Sequence, residues 1–300
     1  MNTSKLGLPT MHIRYVSFWL FILCLSACTS VTIDESSIFQ PTKYDPDETR
    51  AELAINAEAS LTDEDVRLSH FRIPSDIGPI AMTRAEHPEN AGKPLILTCM
   101  GNASDRRTSG ARFINTSIGF GDVLIFDYPG YNDSAGEASE QDFDATIRAI
   151  IAYAESEKSK TNRPIITWGH SLGGFICSEM VARSQVFDGI IIETSAKNVD
   201  QIVDDLFPLI AKPFVEVNVK ESLRAYDNAN ALKAFAGPVL VLGAGKDKTL
   251  SVKLSRKLAS ALEAQGNDIE YVEFPTARHS TVRRAEGFAD TANKFFAKFK

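Results

Sequence analysis

The residues best suited to chemistry in this chain of 300 residues surround one serine. In Gly169-His170-Ser171-Leu172-Gly173, the serine follows an apolar run and opens a stretch with helical apolar spacing. A sharp turn from strand to helix needs small residues on both sides of the serine, because the two backbones approach closely there. The N-terminus of the helix then favours negative charge that develops beside the hydroxyl. The pattern predicts that Ser171 is a nucleophile.

A serine hydroxyl needs a base to take its proton, and histidine is the usual one near neutral pH. Among the five histidines, His279 lies in the loop after the last strand-like run. His12 belongs to the N-terminal segment, and His70 and His87 come before the main apolar runs. For His170, next to the serine, we predict a packing or hydrogen-bonding role. His279 is therefore the predicted base.

The acid that orients such a base is expected between the serine and the histidine in the chain, after another strand. Asp247 meets both conditions, because it follows the apolar run at 239–242. Glu193, at the end of the preceding apolar run, is the alternative. We predict that Asp247 is the acid.

The elements that must position these residues are short apolar runs separated by segments of helical spacing. Runs that do not alternate with polar residues are typical of strands buried on both faces of a parallel sheet. The predicted strands are 95–97, 123–126, 164–168, 189–192, 239–242 and 269–274, and the predicted helices are 142–157, 172–184, 251–265 and 281–298. This order predicts an α/β fold with a doubly wound sheet and a site at the carboxyl ends of its strands.

Together these features resemble the α/β-hydrolase superfamily over residues 66–298. The resemblance implies an α/β-hydrolase fold, with a mostly parallel central sheet, helices on both faces and a minimal cap at about 196–237. It is greatest to small-cap serine hydrolases of the depalmitoylase, monoacylglycerol-lipase and serine-aminopeptidase kinds. Such enzymes work through an acyl-enzyme intermediate and need neither a metal nor an organic cofactor.

The segment Met100-Gly101-Asn102-Ala103 resembles the His-Gly-Asn-Ala loop of the same superfamily, with methionine in place of histidine. The resemblance implies an oxyanion hole formed by the backbone N–H groups of Asn102 and Leu172. The segment 127–134 resembles another superfamily loop, and we interpret its aspartate as structural because it precedes the serine in the chain.

The expected substrate is a small acyl ester or thioester. Peptidase or amidase action by the same fold is the first alternative, although no group in the sequence marks recognition of a peptide amine or carboxylate. The second is a catalytically silent envelope lipoprotein that uses the fold for binding. The net charge of −7 and the absence of basic runs argue against nucleic acid as a partner. The oligomeric state stays open.

The N-terminus has the order of a secretory signal: Arg14, an apolar run and then small residues. Leu25-Ser26-Ala27-Cys28 resembles the lipobox of bacterial lipoproteins, which implies acylation of Cys28 and removal of residues 1–27. Residues 28–65 are then a tether and lead-in segment, and residues 66–300 the catalytic domain. We expect a lipid-anchored protein of the bacterial cell envelope, at the outer membrane and facing the periplasm. Translation from Met1 or from Met11 fits equally well.

Two cysteines remain after the signal, Cys99 and Cys177, both in apolar surroundings. Export would permit a disulfide. In a chain of this size, however, a single pair of remaining cysteines more commonly stays as two buried free thiols. We therefore expect Cys99 and Cys177 to be free thiols.

Overall fold

The structure is a computed structural model that describes residues 29–41, 60–206 and 215–299. The predicted signal peptide and Cys28 lie outside the described residues. Within the described ranges, none of the helices has the length and apolar character that crossing a membrane requires.

The centre of the described chain is a sheet of eight strands. These strands are β2 (Arg67–Ile73), β3 (Ile80–Glu86), β4 (Leu95–Cys99), β5 (Asp122–Phe126), β6 (Ile165–His170), β7 (Gly189–Glu193), β9 (Val239–Ala244) and β10 (Ile269–Phe274). Their order across the sheet is β10-β9-β7-β6-β4-β5-β3-β2. β3 is antiparallel to both of its neighbours, and all other neighbouring pairs are parallel. The predicted mostly parallel α/β sheet is confirmed.

Helices cover both faces of the sheet and bury a separate apolar cluster on each. Side chains on alternate positions of a strand enter opposite clusters, as Ile96 and Leu97 of β4 do. The helices are α1 (Glu35–Ile38), α2 (Thr108–Ser117), α3 (Glu140–Thr161), α4 (Leu172–Arg183), α5 (Val199–Leu206), α6 (Glu221–Arg224), α7 (Asn228–Ala231), α8 (Val252–Ala264) and α9 (Phe288–Phe296). Helices α3, α4 and α8 pack on one face, and α2 and α9 on the other.

Two helical segments differ from the prediction. Helix α2 was not predicted, because its residues TSGARFINTS include several weak helix formers; it forms where Phe113 and Ile114 bury against the sheet. The predicted helix 281–298 is divided into a 3₁₀ turn at Val282–Arg284 and helix α9. Gly287, with φ of +81°, lies just before α9 and prevents a continuous helix.

The cap lies between β7 and β9, and its described part contains α5, α6, α7 and strand β8 (Val215–Val219). Strand β8 pairs in parallel with β1 (Thr29–Ile33), at the start of the described chain. We call residues 29–41 the N-terminal strap. The segment 28–65 was predicted as a tether, whereas its strap portion forms a strand and helix α1 docked on the cap. Glu35 fixes this contact by accepting hydrogen bonds from Lys220 (2.7 Å) and Ser222 (2.6 Å).

Candidate active site

Ser171 lies between β6 and α4 with φ of +55°, a conformation that side-chain-bearing residues rarely adopt. Its flanking glycines are sterically required. A Cβ at Gly169 would lie 2.4 Å from the carbonyl oxygen of Gly173, and one at Gly173 would lie 1.9 Å from that of Cys99. The N–H of Ser171 donates to the carbonyl of Glu193 at 2.9 Å. The predicted turn from strand to helix is therefore present, with Ser171 in its strained position.

His279 and Asp247 are in contact, although they lie after different strands. The Nδ1 atom of His279 is 2.7 Å from one carboxylate oxygen of Asp247. The other oxygen accepts hydrogen bonds from the backbone N–H groups of Thr249 (2.8 Å) and Leu250 (2.9 Å). The Asp247 side chain is only 1% exposed. Its carboxylate is thus fixed by backbone donors and presents one oxygen to the imidazole.

Glu193, the alternative acid, has different partners. Its carboxylate forms a buried ion pair with Arg283 at 2.6 Å and accepts a hydrogen bond from the indole N–H of Trp168 at 3.1 Å. The guanidinium of Arg283 also lies 4.6 Å from the ring centre of Phe113. Of the two candidate acids, Asp247 is the one that contacts His279. Sequence reasoning did not reveal the pairing of Glu193 with Arg283, because the two residues lie far apart in the chain.

His170 holds the loop that carries His279. Its Nε2 lies 3.0 Å from the carbonyl oxygen of His279, which also accepts from the hydroxyl of Thr194 at 3.2 Å. Burial lowers the pKa of His170 to about 4, with smaller contributions from the charge of Arg283 and from His279. The ring is therefore neutral at pH 7. The structure agrees with the hydrogen-bonding role predicted for His170. Through this hydrogen bond, His170 connects the Ser171 turn to the loop that carries His279.

Hydrogen bonds from other parts of the chain hold the side chain of Asn102 in place. The side-chain oxygen accepts from the N–H of Gln40 and from the hydroxyl of Tyr131, both at 2.9 Å, and the side-chain N–H₂ donates to the carbonyl of Ile38. In the described chain, the backbone N–H groups of Asn102 and Leu172 take no part in the turn and loop hydrogen bonds. Both remain available to an anion, as an oxyanion hole requires.

Two further contacts fix the position of the loop 100–103, which contains Asn102, beside the Ser171 turn. The hydroxyl of Tyr128 donates to the carbonyl of Met100, which ties the loop to the segment 127–134. A Cβ at Gly101 would lie 2.7 Å from Nδ1 of His170, so glycine is needed for the observed approach. Asp127, in the same segment, is buried and pairs with Arg106 at 2.9 Å. The segment therefore supports the loop, as the structural interpretation of Asp127 requires.

Cys99 and Cys177 form a disulfide, so the expectation of two free thiols is wrong. Both residues are fully buried. The bond joins the end of β4, from which the Asn102 loop departs, to helix α4, which begins after Ser171. Their status as the only cysteines outside the predicted signal was the available clue to this pairing.

Residues 131–299, more than half of the chain, match the prolyl oligopeptidase family. The chain belongs to this family. The α/β-hydrolase resemblance is confirmed.

Curated relatives of this member of the prolyl oligopeptidase family include the lysophosphatidylserine lipase of Danio rerio. It is 24% identical over 225 residues, which cover 67% of this chain and 58% of the lipase. The human protein ABHD12B is 25% identical over 225 residues, which cover 69% of this chain and 61% of that protein. The chain thus spans about three fifths of the length of these relatives.

Solved structures also resemble the chain. An esterase of Pyrococcus furiosus has a TM-score of 0.61 and 14% identity, with 87% of this chain and 99% of the esterase covered. The acylaminoacyl peptidase of Pyrococcus horikoshii has a TM-score of 0.58 and 16% identity, with 79% and 42% covered. At these identities the likeness establishes the fold.

Proposed function

We propose that the protein is a serine hydrolase that cleaves carboxylic esters or thioesters through an acyl-enzyme intermediate. Ser171 is the nucleophile, His279 the base and Asp247 the acid that orients it. The observation that carries the proposal is the 2.7 Å contact between His279 and Asp247, in the loop that His170 holds beside the strained Ser171 turn.

Each step of the proposed reaction is assigned to one of these residues. With Nδ1–H of His279 donating to Asp247, Nε2 is the free basic atom and accepts the Ser171 proton as the hydroxyl oxygen attacks the acyl carbon. In the described residues the Ser171 side chain forms no hydrogen bond, so its contact with Nε2 forms as substrate binds. The N–H groups of Asn102 and Leu172 stabilise the oxyanion. His279 then returns the proton to the leaving alcohol or thiol, and water releases the acid by the same route.

The preference for esters and thioesters over amides rests on the relatives. The relative from Danio rerio is a lysophosphatidylserine lipase, and the structural neighbours include an esterase. Amidase action is the second candidate, supported by membership of the prolyl oligopeptidase family and by the acylaminoacyl peptidase neighbour. Rates on a p-nitrophenyl ester, a thioester and a p-nitroanilide of the same acyl group would rank the three bond types.

Labelling with a fluorophosphonate probe tests the nucleophile. The native protein should form a covalent adduct on Ser171, and Ser171→Ala should abolish it. Ser178→Ala is the matched control, because Ser178 is buried on α4 and should not affect the label. A folded native protein that ignores the probe would favour the silent binding protein over the enzyme.

We further propose that the protein is anchored in the bacterial envelope through acylated Cys28, which lies outside the described residues. The support is the lipobox-like segment alone. Mass spectrometry of the N-terminal peptide from membranes should find acyl groups on Cys28, and a soluble, unmodified N-terminus would remove this proposal.

A further inference from the structure

A pocket of about 310 Å³ lies on one face of the sheet, where helices α3 and α4 meet helix α6 of the cap. Its volume is within the range of small-molecule sites, roughly 300–1,000 Å³. The charged and aromatic side chains that line it are Glu140, Phe143, Asp144, Glu179, Arg183 and Tyr226. The lining includes none of Ser171, Asp247 and His279 of the described chain, so the pocket is distinct from the proposed catalytic residues.

The hydroxyl of Tyr226 is the buried polar group of this pocket that lacks a partner. The residue is 8% exposed, and its ring packs against Phe39 with ring centres 6.0 Å apart. No hydrogen bond to this hydroxyl forms among the described residues. A buried hydroxyl without a hydrogen bond costs free energy, so a ligand that supplies the bond would be stabilised there.

The surroundings of this hydroxyl decide which kind of ligand fits. Burial raises the pKa of Tyr226, and the negative charges of Glu179 and Glu140 raise it further. The phenol therefore stays protonated at neutral pH, and its oxygen can accept a hydrogen bond. Because both carboxylates line the pocket, an anion bound beside Tyr226 would be repelled.

The charge of the lining is negative, with three carboxylates against one guanidinium. Arg183 donates hydrogen bonds to Asp144 and to Glu179, the latter at 3.1 Å. Glu140 is exposed, and its carboxylate has no basic partner within the described ranges. Glu140 and the hydroxyl of Tyr226 are thus the two acceptors that remain for a cationic donor.

The cation that fits this lining is organic rather than metallic. In the part of the chain that the structure describes, the carboxylates of Glu140, Asp144 and Glu179 do not converge on one point as metal ligands must. Phe143 and Ile147 instead give the pocket an apolar floor, and they are 1% and 2% exposed. An ammonium group carries N–H donors for the two acceptors, and an attached alkyl chain can pack on this floor.

We propose that the pocket between α3, α4 and α6 binds an organic ammonium ion, a primary amine on a short aliphatic chain. The ammonium group donates to the hydroxyl of Tyr226 and pairs with Glu140. The site does not depend on the proposed hydrolase function, because it shares no residue with the proposed catalytic residues.

Calorimetric titration of the full chain with hexylammonium chloride tests the site, and 1-hexanol is the neutral probe with the same chain. The native protein should bind hexylammonium at least tenfold more tightly than hexanol. Tyr226→Phe should weaken hexylammonium binding by about tenfold, because a hydrogen bond to a charged group is lost. Glu140→Gln should weaken it by about threefold, since this ion pair is exposed.

Glu263→Gln is the matched control for the charge change, because Glu263 is an exposed carboxylate on α8 outside the pocket. It should leave the affinity for hexylammonium unchanged. If Tyr226→Phe and Glu140→Gln also keep the native affinity, or if hexanol binds as tightly as hexylammonium, the assignment of the pocket is wrong.

Thermal unfolding separates a ligand-binding hydroxyl from a structural one. Tyr226→Phe keeps the ring and its contact with Phe39 and removes a hydroxyl that has no partner among the described residues. The Tm of the ligand-free variant should therefore not fall below that of the native protein. A Tm lower by several degrees would show that the hydroxyl stabilises the fold itself and would overturn its assignment to a ligand.

Discussion

At Asp247, one carboxylate oxygen contacts His279 and the other is held by the backbone N–H groups of Thr249 and Leu250. An amide at this position would keep its shape but could present N–H₂ to Nδ1, which favours the wrong tautomer of the imidazole. We therefore expect Asp247→Asn to lower kcat on a p-nitrophenyl ester by about 10⁴-fold with little change in KM. Steady-state kinetics measure both, and a rate near the native value would exclude Asp247 as the acid.

Glu193 offers a contrasting substitution within the same sheet. Glu193→Gln leaves the contact between Asp247 and His279 intact but deprives Arg283 of its buried partner. The free energy of unfolding should fall by about 3–5 kcal/mol, because an unpaired buried charge remains. The kcat of the folded variant should stay close to the native value. Urea unfolding and kinetics on the same preparation separate the two effects, and a collapse of kcat in a folded sample would contradict the assignment.

His170 makes stability depend on pH. Burial lowers its pKa to about 4 in the folded protein, from the ordinary histidine value of about 6.5. Between these values the unfolded chain binds a proton that the folded chain does not, so the free energy of unfolding decreases as pH falls from about 6.5 to about 4. The slope from this residue is at most about 1.4 kcal/mol per pH unit.

His170→Gln tests this dependence, because glutamine keeps an N–H donor for the carbonyl of His279 but does not titrate. The stability of the variant should vary less with pH over this interval, as measured by urea unfolding at each pH. His70, whose pKa burial also lowers to about 4, contributes equally to both proteins. An identical slope in the two proteins would rule out His170 as the source.

Among the elements, the N-terminal strap holds the loop of Asn102 through Ile38 and Gln40. Phe39, between them, is 2% exposed and stacks on Phe143 with ring centres 4.2 Å apart. Phe39→Ala should release the strap and let the backbone donor of Asn102 shift, which lowers kcat by about tenfold to 100-fold. Kinetics should detect this drop in a protein that is still folded.

Phe295→Ala is the matched control for that variant, because Phe295 is equally buried but lies on α9 in the apolar cluster of the other face. Both substitutions should destabilise the fold by about 3–5 kcal/mol. Only Phe39→Ala should change kcat. Equal effects on kcat would mean that the strap acts through global stability.

The disulfide Cys99–Cys177 closes a loop with a sequence separation of 78. By loop-closure entropy, a loop of this length contributes about 4.5 kcal/mol. The double variant Cys99→Ala with Cys177→Ala should therefore have a lower Tm than the native protein. Dithiothreitol should leave the Tm of the variant unchanged. It should lower the Tm of the native protein once it reaches the disulfide. A native Tm equal to that of the variant would contradict this prediction.

Elements differ in how far their sequences predict them. The central strands were predictable because burial on both faces requires unbroken apolar runs. Strands β1 and β8 were not, because each is short and its partner lies in a distant part of the chain. Helix α2 depends on burial of Phe113 and Ile114 rather than on its own propensity. The formation of β1, β8 and α2 depends on tertiary contacts that leave no local signal in the sequence.

For the whole molecule, the candidate site follows from the topology. The turns after β6, β9 and β10 meet at one edge because these strands are parallel, so the spatial arrangement of Ser171, Asp247 and His279 could be predicted from chain order. The pairing of Glu193 with Arg283 could not, because the two residues lie on separate elements far apart in the chain. Only the folded packing brings them together.

The two ends of the described chain leave the domain at different places. Thr29 begins the strand paired with the cap, whereas Phe299 packs against Gly189, the first residue of β7, at the amino ends of the parallel strands. A carrier fused before Thr29 would consequently lie on the cap side of the domain. A carrier joined beyond Phe299 would instead lie at the amino ends of the strands, away from the edge that carries the candidate site, which makes that end the better attachment point for immobilising the protein.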